Sequence, residues 1–135
     1  MLHAGISELR RAFHAHRRTT SEPDKSELLL NFYAAECGLK VALLRRLGLK
    51  NTAAMAPYLR ERGHDLIAIA KELRIPAKLL DVPVQIKLRR DGDQIAVEAA
   101  HQAWRYGVAI DPEDESKLHC WMEAICQWAA EEELR

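Results

Sequence analysis

The run LLLNFYAAECGLKVALLRRLGL, from Leu28 to Leu49, is a long apolar helix pattern with two charges inside its apolar stripe. Glu36 and Lys40 stand four residues apart, in line with Leu29, Tyr33 and Leu43. Residues three and four apart share one helix face. A charge buried alone among Phe32, Leu39 and Leu43 is strongly disfavoured, so each needs a partner. The run therefore demands a central helix with other polar groups brought to it. Two later patches can supply them. GHDL at Gly63–Leu66 opens the next helical run, and WRYG at Trp104–Gly107 follows. His64, Asp65 and Arg105 are the candidate partners.

The rest of the chain also reads as helical. Ile6, Leu9 and Phe13 share a face of a short helix over 6–18, and the Thr19–Pro23 segment breaks it. Asp24 or Ser26 can cap the long helix, which ends at Gly48. The 51–55 segment is a connection or a weak turn. Asp65 caps a run over 66–73 with Leu66, Ile69, Ala70 and Leu73 on one stripe. Pro76 and Pro83 bracket room for one helical turn at 77–80. In the last helix Asp111 caps, Pro112 takes the first position, and Glu113, Asp114 and Glu115 complement the positive helix end. Leu118, Trp121, Met122, Ile125 and Trp128 form its buried stripe, and the acidic tail after Ala130 frays.

One segment reads two ways. VQIKLRR alternates, Asp91-Gly92 is a hairpin turn signal, and QIAVE would be the partner strand. Alternatively, Asp93 caps a helix over 94–106. The spacing of Ile95, Ala99, Gln102 and Tyr106 and the frequent alanines favour that helix. The fold class expected is all-α: one domain over 1–135, an up-and-down bundle of four to five helices, with a small β-hairpin insertion at about 84–98 as the variant.

Charge excludes a strongly basic nucleic-acid binder, because Lys+Arg and Asp+Glu are both 20. The balance is uneven, however. Residues 1–50 hold nine basic and five acidic side chains, and residues 101–135 three and eight. A basic start and an acidic end can attract within one chain or between two copies; two separately solvated faces are the plainer reading. The cysteines, Cys37, Cys120 and Cys126, are odd in number and lack a CxxC spacing, so neither a disulfide framework nor a metal site is expected. They read as reduced, small apolar residues of a cytoplasmic protein. No membrane span or signal peptide is evident, and no cofactor motif or catalytic signature of the common kinds occurs.

The three polar patches support two readings: a buried ion-pair network that fixes helix register, or a site. His64 beside Asp65 can simply close a turn. His101 and Arg105, one helical turn apart, can hold a phosphate or pack against the acidic last helix. Trp104, Trp121 and Trp128 read as core.

Together the patches resemble the HEPN superfamily (higher eukaryotes and prokaryotes nucleotide-binding domain). The resemblance covers about 26–107. It rests on Ala35-Glu36-Cys37-Gly38-Leu39-Lys40-Val41-Ala42-Leu43-Leu44, then His64-Asp65-Leu66, then Trp104-Arg105-Tyr106, in the family's order. It implies an antiparallel helical bundle that commonly dimerises. Many members are metal-independent RNases of toxin–antitoxin or phage-defence systems. Others bind nucleotides or serve as noncatalytic partners of nucleotidyltransferases. The nuclease members place an Arg and a His a few residues apart near the later helices. Here the next histidine after Arg105 is His119, fourteen residues on. Arg11 and His16 have four residues between them, and Arg10 and His16 five, but both pairs lie on the first helix.

The leading expectation is a noncatalytic or weakly catalytic HEPN-like subunit. It would form a homodimer or dock a nucleotidyltransferase or defence ATPase, through the basic first or acidic last helix. The runner-up is a metal-independent RNase using His16 with Arg10 or Arg11, or His101 with Arg105. A third is nucleotide binding at Glu36, Lys40, His64 and Arg105.

Overall fold

A computed structural model describes residues 3–55, 57 and 65–133. The chain runs α1 (Ile6–His16), α2 (Lys25–Leu47), a 3-10 turn (Thr52–Ala54), α3 (Leu66–Glu72), a second 3-10 turn (Ala77–Leu80), β1 (Gln85–Lys87), β2 (Gln94–Ala96), a third 3-10 turn (Val97–Ala99), α4 (Ala100–Arg105) and α5 (Pro112–Glu133). Among the described residues the protein is thus mainly helical, with one two-stranded antiparallel sheet. His64 lies outside the described residues.

Local chemistry sets these boundaries. Asp24, rather than Ser26, caps α2. Its Oδ1 accepts from Glu27 N at 2.8 Å, and Glu27 Oε1 accepts from Asp24 N at 3.3 Å, a reciprocal capping box. Asp65 caps α3 by accepting from Ala68 N at 3.1 Å. Asp111 caps α5 by accepting from Asp114 N at 3.2 Å. At its other end α2 stops on Gly48 at φ +66°, with Leu49 N donating to Leu44 O and Gly48 N to Arg45 O. The end of α3 repeats this pattern, with Ile75 N donating to Ala70 O and Arg74 N to Lys71 O. There the left-handed residue is Arg74, at φ +54°. That conformation costs an L-residue with a side chain roughly 1–2 kcal/mol, a cost glycine escapes.

Helix α2 is the axis of the described residues and touches α1, α3, α4 and α5. It is consequently buried on nearly every side, from Leu28 and Phe32 to Leu43 and Leu44. Gly38 lets α5 approach. A Cβ there would sit 2.8 Å from the Ala129 Cβ and 3.3 Å from the Phe13 ring. Leu118, Met122 and Ile125 of α5 are fully buried, as their spacing predicts, with Trp128 half-buried beside them.

Two expectations need correction. The segment after Asp93 is not one helix over 94–106. Gln85, Ile86 and Lys87 pair with Ala96, Ile95 and Gln94, and the helix begins only at Ala100. Gly92 at φ +73° turns the chain, and Leu88 N donates to Asp93 O at 2.7 Å. The fully buried Ile86 anchors the hairpin in the core. Arg89 N also donates to Ala109 O, and Asp111 N to Lys87 O, so the hairpin is laced to the start of α5. Helical period over 95–106 loses to this backbone pairing. Secondly, α5 stays helical to Glu133 instead of fraying after Ala130. Arg46 of α2 pairs with Glu132 at 3.5 Å and holds that end. No helix among the described residues is long and apolar enough to cross a membrane.

Candidate functional site

Tyr33, Glu36 and Lys40 follow one row along α2. The carboxylate and ammonium at the centre of that row meet each other: Lys40 Nζ lies 2.9 Å from Glu36 Oε2. Their side chains are 15% and 12% exposed, so the pair is largely withdrawn from water. Beside it, burial pushes the Cys37 thiol up to about 11, with the Glu36 carboxylate adding to the rise and Lys40 opposing it. In α5, burial pushes Cys126 up to about 12. Thiols held protonated in this way are not nucleophiles at neutral pH.

One turn toward the start of α2, Tyr33 gathers groups from two other helices. Arg105, on α4, donates from Nη2 to the Tyr33 hydroxyl. The His101 ring, also on α4, has its centroid 6.3 Å from that of Tyr33. The His16 ring, at the end of α1, lies 6.2 Å from Tyr33 on centroids. Phe32 packs against His101 at 5.0 Å with the rings inclined by 31°, and against Trp104 edge-on at 6.3 Å. His101 is only 4% exposed. The cluster thus has a dry floor of Phe32, His101 and Trp104. Its rim is His16, Tyr33 and Arg105. Tyr106, next along, is 73% exposed. The Tyr33 hydroxyl, and after it Tyr106, hold the Arg105 guanidinium above its ordinary value.

The residues singled out from sequence therefore separate. His16, His101 and Arg105 do converge, through Tyr33. Arg11 does not join them by helix geometry: five residues from His16 is about 140° around α1, a different face. Arg105 bonds to Tyr33, not to Glu36. Asp65 caps its own helix, and His64 lies outside the described residues. Sequence reasoning treated Tyr33 as one more member of an apolar row. Its place three residues before Glu36, on the same face, was the available signal.

The rim offers a guanidinium, a phenol and an imidazole at one surface. That set can bind an anion, by charge-assisted hydrogen bonding from Arg105. Proton transfer needs a base within hydrogen-bond reach of the substrate. His16 has that access, whereas His101 lies under Phe32. No protein-family model, no curated protein and no solved structure matches the chain.

Proposed function

We propose that the protein is a HEPN-like helical subunit, noncatalytic or weakly catalytic, that dimerises or docks a nucleic-acid- or nucleotide-handling partner. The setting is a prokaryotic defence or toxin–antitoxin type system, with a nucleotidyltransferase or an ATPase as the partner. The bundle is read as up-and-down, in keeping with that resemblance. The observation that carries the proposal is how the motif residues are employed. Glu36 and Lys40 close on each other, Asp65 caps a helix, and His101 is buried in aromatic packing. Of the remaining motif residues Arg105 stands at the surface beside Tyr106, with Tyr33 and His16 at its edge, and this rim is read as a contact patch.

The test is co-expression with the products of adjacent genes, followed by co-purification of wild type and Arg105→Glu. A stable complex with a nucleotidyltransferase or ATPase, lost in the variant, is expected. Purified protein incubated with single-stranded RNA in the presence of chelator should leave it intact.

The second reading, a metal-independent RNase, is favoured by the approach of His16 and Arg105 to the same tyrosine. His16 would be the acid–base group and Arg105 would stabilise the phosphate. Chelator-resistant cleavage abolished by His16→Ala would establish it and remove the docking proposal.

A further inference from the structure

The end of α3 holds a second candidate site, which shares no residue with the Tyr33 cluster. Two helices finish on the same hydrogen-bond pattern, one on Gly48 and the other on Arg74. Glycine takes this left-handed position without strain, so an arginine there is a departure that points to use of its side chain. Arg74 lines a groove of about 590 Å³ between the 73–79 segment and the outer face of α5. A volume of that size suits a small ligand.

The groove has three kinds of wall. Arg46, Arg74 and Lys78 supply cations. Arg46 is fixed in place, because its Nη1 donates to Leu73 O and its Nη2 pairs with Glu132 at 3.5 Å. Arg74 and Lys78 have no side-chain partner among the described residues, so both are available to a ligand. The half-buried indole of Trp128 supplies an aromatic surface. The far side is acidic: Glu132 is taken up by Arg46, and exposed Glu131 accepts from Gln127 Nε2 at 3.1 Å through one oxygen.

The geometry points to a binding site for a small phosphorylated ligand that carries a planar ring, the chemical class of a mononucleotide. The phosphate is met by Arg74 and Lys78 through charge-assisted hydrogen bonds. The ring lies against Trp128. A hydroxyl or amino group of the ligand donates to the Glu131 carboxylate. A simple anion would use the first wall alone, and the acidic side would oppose it.

The experiment is titration calorimetry, with thermal unfolding in parallel, on the full chain. The probes are AMP, ATP, GTP and inorganic phosphate, and the variants are Arg74→Gly and Lys78→Ala. Arg74→Gly separates binding from folding, because it relieves strain. It should unfold at a higher temperature than wild type while nucleotide affinity falls about tenfold or more. Inorganic phosphate alone should bind far more weakly than AMP. The inference is overturned if none of the nucleotides binds at millimolar concentration, if phosphate binds as well as AMP, or if Arg74→Gly retains wild-type affinity.

Discussion

Two polar groupings lie on neighbouring turns of α2, and they are built oppositely. Glu36 and Lys40 answer each other at 2.9 Å and are mostly shut away from water. Tyr33 answers outward, to Arg105 on another helix, and its neighbour Tyr106 stands in solvent. A closed pair sets opposite charges against each other inside the fold and shows little of either to solvent. An open rim keeps donors and a ring at the surface. Charges embedded in an apolar stripe are thus a poor guide to a site. The better guide is where long-range polar contacts reach the surface.

The largest effect should come from breaking the closed pair on one side. Glu36→Ala strands the Lys40 ammonium in a poorly hydrated position and should lower stability by about 2–3 kcal/mol, read from urea unfolding. A Glu36→Leu, Lys40→Met double variant should recover most of that loss, since apolar replacement of a buried pair is often neutral. If Glu36→Ala instead keeps full stability and loses partner or RNA-directed function, the pair belongs with the rim as a site.

Gly38→Ala should come next, at about 1–2 kcal/mol. The added methyl presses on Ala129 and Phe13, and improved helix propensity offsets only part of that strain. Chemical denaturation measures it, and an unchanged midpoint would mean that α5 yields easily against α2.

A pH dependence follows from the buried thiols beneath these groups. Cys37 and Cys126 are raised from 9.0 to about 11 and about 12. In the unfolded chain they ionise first, so the folded state holds more protons above pH 9. Stability contributed by the buried neutral thiols is full below the unfolded pKa. It declines as pH rises from 9.0 toward 11, by at most about 1.4 kcal/mol per pH unit for each thiol. Cys126→Ala should flatten its share of that decline in urea midpoints measured across the window. An unchanged slope would mean that water reaches this part of the α2–α5 contact.

The smallest effect on folding belongs to the rim. Arg105→Ala should leave the unfolding temperature near that of wild type, because the guanidinium is exposed, while weakening partner co-purification. A marked fall in unfolding temperature would make Arg105 a structural clamp between α4 and α2, and the contrast between the two groupings would collapse.

Much of this was legible in the residues. Asp24, Asp65 and Asp111 begin helices because a carboxylate can take up the free amides of a first turn, a purely local matter. Gly48 ends one because only a left-handed residue closes that pattern without strain. The buried stripe of α5 follows from spacing alone. The hairpin was only half legible, because the alternation and Asp91-Gly92 competed with a helical period over 95–106. What decided it was Ile86 reaching the core and the main-chain bonds to 109–111, contacts between segments that no local window contains.

The sequence by itself determined that a long apolar helix with an embedded Glu–Lys pair stands at the centre of a helical chain, since period, caps and breakers act over a few residues. Only the tertiary structure decided that the Glu36–Lys40 pair is mostly shut away from water, that Tyr33 joins His16, His101 and Arg105, and that Arg74 takes a place usually left to glycine. Burial and the contacts between α1, α2 and α4 are set by how the helices pack, which short-range pattern does not encode.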